Sequence, residues 1–254
     1  MRTYAMKFII PIIFIINSVF SASNLKTQDV CHTGRSQSPV DFRSVPVNIQ
    51  QSGFKILYDK IQSQMIWNRK LKTFTMQIPH NQRAQYKVEL HPIDQKTDHL
   101  TNDKKEFNLH SVHFRITSEH LDNGKSYPLE IQFIHYITRA DPNYSYNRLA
   151  YSLFAEPTDE DPDHLLEHVL PDSVFEMTGF ISALNVTPYF HYLGSLTFPP
   201  CSEDVNWFVF TKSLKISRGI YDAMIEIISR NTNNRTNNSP VKSLAQRKVY
   251  KFGK

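Results

Sequence analysis

The stretch Phe107 to Tyr136, FNLHSVHFRITSEHLDNGKSYPLEIQFIHY, constrains this chain most. It reads as two strands joined by a loop. Residues two apart on a strand share a face, so His113 and Arg115 point the same way, and so do Glu130 and Gln132. A strand carrying His-x-His, paired with a strand that offers one more histidine on the same face, is a simple way to build a three-histidine zinc site. This stretch comes close to that pattern but departs from it: the positions read His113, Arg115 and Gln132. Asn123-Gly124 lies between the two runs and is a strong turn signal.

Size and composition suit one large, sheet-rich domain. The chain has 254 residues, 40% hydrophobic and 12% aromatic, with 17 Phe and 12 Tyr but only 7 Gly. Aromatic residues favour strands. The formal charge of +5 is mild, and no basic stripe interleaved with aromatics marks a nucleic-acid partner. The basic C-terminal residues, Lys242 to Lys254, read as a solvated tail.

Residues 1–22 form a separate element. Arg2 and Lys7 precede the apolar run Phe8 to Phe20, and small residues follow at Ser21, Ala22 and Ser23. That is the layout of a secretory signal peptide. The run is short of the ~20 residues a membrane-spanning helix needs, a retained anchor being the alternative. Residues 23–254 then form the mature domain, with a secreted location and no membrane span after cleavage. Two cysteines, Cys31 and Cys201, suggest a disulfide in an exported chain, with two buried free thiols as the alternative. Asn143, Asn185, Asn234 and Asn237 each open an Asn-x-Ser/Thr sequon and are glycosylation candidates. Prolines at 188 and 240 lower the expected use of Asn185 and Asn237.

Taken in order, the runs FKILYD, SQMIW, TFTMQIP and QYKVELHP alternate in strand fashion from Gly53 to His91, as in an antiparallel meander. Arg148 to Phe154 is another apolar strand. The acidic, Pro-punctuated segment from Ala155 to His168 reads as a surface loop entering a short helix. Tyr189 to Cys201 is a strand running into a Pro-rich turn, and Asn206 to Phe210 is a short buried strand. Ser217 is placed to cap a helix to about Arg230, with Ile220, Met224, Ile227 and Ile228 on its inner face. The fold class is mostly β with peripheral helices.

Several motifs in order resemble the α-class carbonic anhydrase family over about residues 31–250. They are Gln37 to Phe42 (QSPVDF), the segment Val112 to His135 with its SEH and YPLE, RLAYSLF, the run Gly194 to Glu203 (GSLTFPPCSE), Val205-x-Trp207, and the closing NNSPVKSLAQRKVY. The resemblance implies a large, twisted, mainly antiparallel central sheet with a conical pocket floored by zinc. It also implies a disulfide between Cys31 and Cys201, as in secreted members.

Aligned on that family, His113 stands at the first zinc-ligand position, Arg115 at the second and Gln132 at the third. Family zinc is held by three neutral imidazoles and turns bound water into hydroxide near neutral pH. An arginine has no lone pair to give, and a glutamine amide oxygen is a poor zinc ligand. Zinc is therefore expected to be absent, with no cofactor in its place and no carbon dioxide hydration. Arg115 is expected to bond Gln132 and either Glu119 or Glu130. Glu119 and Thr197 match the family pair that orients the zinc-bound hydroxide, and Glu130 matches the carboxylate that braces a histidine ligand. Phe198 should fill part of the pocket, and Leu71 stands where the proton-shuttle histidine is expected. His110 should face away from the site, and His120 and His135 should serve the core or brace the site's own residues. The implied role is binding or recognition of an extracellular protein or glycan, as in carbonic-anhydrase-related proteins. The alternatives are a hydratase or esterase with residual or unusual metal-dependent activity, and a matrix or storage protein that uses the fold's stability.

Overall fold

Residues 30–43, 46–49, 52–58, 62–163, 166, 169–170, 174–176, 188–233 and 236–253 are described by the structure, a computed structural model. The expected signal segment, Asn185 and Asn234 lie outside the described residues.

The alternating runs become strands. They are Val47–Ile49 (β1), Phe54–Tyr58 (β2), Gln62–Asn68 (β3), Thr73–Gln77 (β4), Tyr86–Leu90 (β5), Ile93–Asp94 (β6), His99–Leu100 (β7), Lys105–Arg115 (β8), Leu129–Ile137 (β9), Arg148–Thr158 (β10), Val174–Glu176 (β11), Tyr189–Gly194 (β12), Val205–Ser217 (β13) and Tyr250–Phe252 (β14). All but β6 and β7 join one 12-stranded sheet, in the order β1-β14-β12-β13-β10-β9-β8-β4-β3-β11. Strand β5 also pairs with β8, and β2 with β5. Only β1/β14 and β10/β13 are parallel among the named pairs, so the sheet is mainly antiparallel as expected. The long strands β8, β9, β10 and β13 lie side by side and hold the middle of the molecule.

Four expectations need correction. The basic C-terminal residues are not a solvated tail: Arg247 donates to the Ser36, Gln37 and Leu193 carbonyls, and Tyr250–Phe252 pairs with Tyr189–His191 in the sheet. The Gly53 to His91 region is not a simple meander, because β2 skips β3 and pairs with β5 in the register Phe54↔Leu90 to Tyr58↔Tyr86. Period-2 alternation sets a strand's two faces but not which edge it meets. The segment from Ala155 does not turn straight into a loop. It extends β10 to Thr158, parallel to Leu214–Ser217 of β13. Pro157 is tolerated there because β9 ends its pairing at Ala155 and leaves that edge open. Glu156 reaches Lys125 at 2.9 Å and Lys215 at 3.1 Å across this end. Strand β13 is correspondingly longer than Asn206 to Phe210; its second half alternates buried and exposed residues.

Helix α1 (Arg218–Thr232) follows β13 directly. Ser217 occupies the N-cap position, but its hydroxyl makes no capping bond. Asn233 ends the helix in the left-handed region at φ 54°, where asparagine is a common alternative to glycine. Met224 and Ile228 are its fully buried residues, with Ile220 and Ile227 partly covered against the same core. The sheet buries two apolar layers. One includes Phe107, Phe114, Phe133, Tyr151 and Phe208; the other is built around Phe42, Phe154, Tyr192 and Trp207.

Cys31 and Cys201 are joined, with their Cα atoms 5.2 Å apart at a sequence separation of 170. On the chain-entropy account, closing a loop of that length stabilises the fold by roughly 5 kcal/mol.

Two core histidines make stability sensitive to acid. His135 lies between the Leu149 carbonyl, 3.2 Å from Nδ1, and the Tyr58 hydroxyl at Nε2. His191 Nδ1 donates to the Trp207 carbonyl at 2.9 Å. Burial pushes their pKa values down from 6.5 to about 3 and about 4. Both stay neutral in the folded protein, whereas the unfolded chain takes up protons as pH drops below 6.5. Stability is therefore lost from pH 6.5 downward, until the folded values are reached. Urea unfolding at pH 5 is expected to give roughly 4 kcal/mol less than at pH 7 from these two groups alone. Equal stability at the two pH values would show that neither ring is held neutral.

Candidate functional site

The registers of four strands bring the site together. Thr75 of β4, His113 of β8, Gln132 of β9 and Ser152 of β10 are successive partners across the sheet. Directly paired residues project to the same side, so this is one buried polar row. Arg115 lies two residues along β8 from His113, opposite Glu130. Asn123 and Gly124 both take positive φ, 51° and 82°, in the loop between β8 and β9, as the turn signal required. A register shift between Leu109 and Ser111 marks His110 as the extra residue of a bulge. His110 stacks on Tyr136 at 4.5 Å, and its Nδ1 lies 3.3 Å from Ser111 Oγ, the hydroxyl that also meets His113.

Gln132 is held by two carboxylates. Its Nε2 donates to Glu119 Oε2 at 2.7 Å and to Glu130 Oε1 at 3.2 Å. Two acceptors on one atom identify that atom as the nitrogen. The Thr197 hydroxyl approaches Gln132 Oε1 at 3.5 Å. The expected Glu119–Thr197 arrangement is thus replaced. Glu119 gives Oε2 to Gln132 and Oε1 to the backbone N–H of Ser239 at 2.8 Å, while Ser239 Oγ donates to the Thr197 carbonyl.

Glu130 braces the loop rather than a ligand. Its Oε2 accepts from the backbone N–H groups of Glu119 and His120, each at 2.8 Å, and its Oε1 meets His120 Nδ1 at 2.7 Å. Burial pushes its pKa up, but the charge and hydrogen bonds of His120 outweigh that and hold it at about 2. His120 continues to the Tyr192 hydroxyl at 2.7 Å, and Tyr192 to Ser38. His120 and His135 therefore serve the core, as expected.

Arg115 is 3% exposed, so it does not turn to solvent. Its Nε lies 3.5 Å from Glu119 Oε1, and Nη1 reaches the Asn237 carbonyl at 3.4 Å. The guanidinium carbon is 5.7 Å from the centre of the Phe198 ring. The expected carboxylate partner is Glu119. The expected bond to Gln132 is not made, because Gln132 turns its nitrogen to the carboxylates and its oxygen to Thr197. Nε and Nη2 of Arg115 have no hydrogen-bond partner.

His113 is buried, and its Nε2 meets Ser111 Oγ at 2.8 Å. Burial first, and then the Arg115 charge, hold its pKa well below the usual histidine value, so the ring is neutral. Phe198 packs over it at 4.9 Å and lines the neighbouring cleft. Leu71 lies at a cleft of about 320 Å³ that also reaches Arg115, Phe198 and Ser239.

These donors do not fit zinc. The one imidazole at the three aligned positions has its Nε2 engaged by Ser111, arginine has no lone pair, and the glutamine nitrogen faces two carboxylates. Among the described residues, no three His, Cys, Asp or Glu side chains come together as a metal site.

Sequence reasoning missed Ser111, Ser239 and the structural role of Asn237. Asn237 Oδ1 accepts from the Ile116 N–H at 2.7 Å, and its Nδ2 donates to the carbonyls of Lys72 and Phe114. A glycan is attached through that nitrogen, which then keeps a single N–H, so modification would break at least one of the two donor bonds. This opposes Asn237 as a glycosylation site, although its sequon was the visible signal. Asn143 lies exposed beside Asp141, whose carboxylate accepts its backbone N–H.

Comparison with known proteins points the same way as the fold. The family profile for eukaryotic-type carbonic anhydrase matches residues 23–253. The chain is 27% identical to carbonic anhydrase Nec1 of Nesocodon mauritianus over 229 residues, covering 86% of this chain and 75% of that protein. It is 23% identical to dioscorin dioA3 of Dioscorea japonica over 241 residues, covering 90% of this chain and 80% of that protein. Among solved structures, the α-carbonic anhydrase of Thermovibrio ammonificans superposes with a TM-score of 0.67 at 24% identity, covering 92% of this chain and 94% of that one. A dioscorin solved with ascorbate superposes with a TM-score of 0.69 at 19% identity, covering 90% of each.

Proposed function

The chain belongs to the eukaryotic-type carbonic anhydrase family, and from that premise we propose that it is a secreted member that holds no zinc, hydrates no carbon dioxide and acts by binding. The observation that carries this reading is the arrangement at the three ligand positions. Gln132 is tied to Glu119 and Glu130, Arg115 is ion-paired to Glu119, and His113 is turned to Ser111. A cation occupies a position that zinc chemistry needs as a neutral donor, and it would repel a divalent ion at close range.

Glu119, Glu130 and Thr197 are still present, which is what a residual hydratase would keep. Their hydrogen bonds now run to Gln132, Ser239 and His120 instead of to a metal-bound water and its ligands. The signal-peptide layout and the disulfide support export, where Asn143 is the exposed sequon best placed to carry a glycan. The partner is an extracellular protein or glycan.

The test is carbon dioxide hydration by purified protein after incubation with excess zinc. The expected rate is that of buffer containing the same zinc. A catalysed rate that a sulfonamide abolishes would overturn the reading.

A further inference from the structure

The cleft beside Arg115 has a chemistry of its own. It is lined by Lys70, Leu71, Lys72, Phe198 and Pro199 among others, and Arg115 closes its inner side. Lys70 and Lys72 are exposed, and no carboxylate is among the described residues that line it. Glu119, the nearest counter-charge, stands behind the arginine with both oxygens committed to Ser239 and Gln132. The guanidinium is therefore under-satisfied: Nη2 lacks a partner, Nε has only the 3.5 Å ion pair with Glu119, and Nη1 has only the 3.4 Å contact with Asn237. Nη2 is thus the donor left for an anion, and a carboxylate bridging Nη1 and Nη2 would meet the planar fork with both oxygens.

We propose that this cleft binds a small organic carboxylate, with its charged end on the Arg115 guanidinium and its apolar body against Leu71, Phe198 and Pro199. The apolar wall beside a cationic end selects a carboxylate with a hydrocarbon or aromatic body over a bare inorganic ion. The cleft volume of about 320 Å³ suits a ligand of that size. Nη2 is shielded from water, so binding requires a shift of the Phe198 ring, whose centre lies 5.7 Å from the guanidinium carbon. Lys70 and Lys72 at the rim draw the anion in. The inference rests on the reading that Arg115, not zinc, occupies this site.

Benzoate is the probe, with benzamide as its uncharged counterpart and sulfate as the bare anion. Titration calorimetry is expected to give one benzoate site per chain, at least tenfold tighter than benzamide or sulfate, and unchanged by EDTA. Arg115→Met should weaken benzoate at least tenfold. Because that variant removes a buried charge and could fail to fold, Lys70→Glu with Lys72→Glu is the second test. Both residues are exposed, and the pair should weaken benzoate at least threefold while leaving the thermal transition in place. Benzoate no tighter than benzamide, sulfate tighter than benzoate, or affinity unaffected by the two lysine changes would each overturn the proposal. Benzoate binding that EDTA abolishes would instead place a metal at the site, which overturns the functional reading beneath it. Absent zinc together with absent benzoate binding would overturn this inference alone.

Discussion

Replacing Glu119 by glutamine is expected to destabilise the protein by about 3–5 kcal/mol, the cost of leaving a buried charge without its partner. Glu119 and Arg115 are 0% and 3% exposed and lie 3.5 Å apart. Glutamine keeps the shape and one acceptor for the Ser239 N–H. It removes the counter-charge, and it sets a second amide nitrogen against the nitrogen of Gln132 unless one of the two amides turns over. Exchanging both charges, with Arg115→Met added to Glu119→Gln, should recover much of the loss, because an ion pair taken out whole leaves no uncompensated ion. A double-mutant cycle by urea unfolding reads the coupling directly. A Glu119→Gln variant within about 0.5 kcal/mol of the parent, the range of an ordinary surface substitution, would show that Arg115 draws its stability from elsewhere.

The second large effect is a gain. The double substitution Arg115→His with Gln132→His should raise zinc content from near none to about one per chain. His113 and Gln132 are direct register partners, and position 115 lies on the same face of β8. Three imidazoles would then converge, provided that His113 releases Ser111, and both carboxylates are already in place. Glu130, next on its face of β9 to position 132, could accept from the new ring as it now accepts from Gln132. Bound zinc stabilises only the folded state, so the melting temperature of the variant should rise with zinc concentration while that of the parent does not. A double variant that takes up no zinc even in excess would mean that these three positions do not converge as the register places them.

The parts of this account that were legible in the sequence are those set by local period. Alternation between Phe107 and Tyr136 marked β8 and β9, and Asn123-Gly124 marked the turn. The parity of His113 and Arg115 put both on the face that meets Gln132. The even cysteine count suggested the Cys31–Cys201 disulfide, and the resemblance supported it. What stayed hidden depends on distant chain. Nothing in FKILY distinguishes pairing with β3 from pairing with β5, since both partners offer the same alternation. The second half of β13 went unmarked because only part of its side chains are buried. Arg115 finds Asn237 and Glu119 finds Ser239 more than a hundred residues away. Gln132 was expected to meet Arg115 and instead chose two carboxylates, a competition among hydrogen-bond partners that spacing alone does not decide.

The most direct test of the central claim is the zinc content of the purified mature protein, dialysed without chelator and measured by elemental mass spectrometry. Zinc well below one per chain is the expected result, because Arg115 and Gln132 leave one imidazole at the three ligand positions. About one tightly held zinc per chain would contradict the account and return the protein to the hydratases of its family.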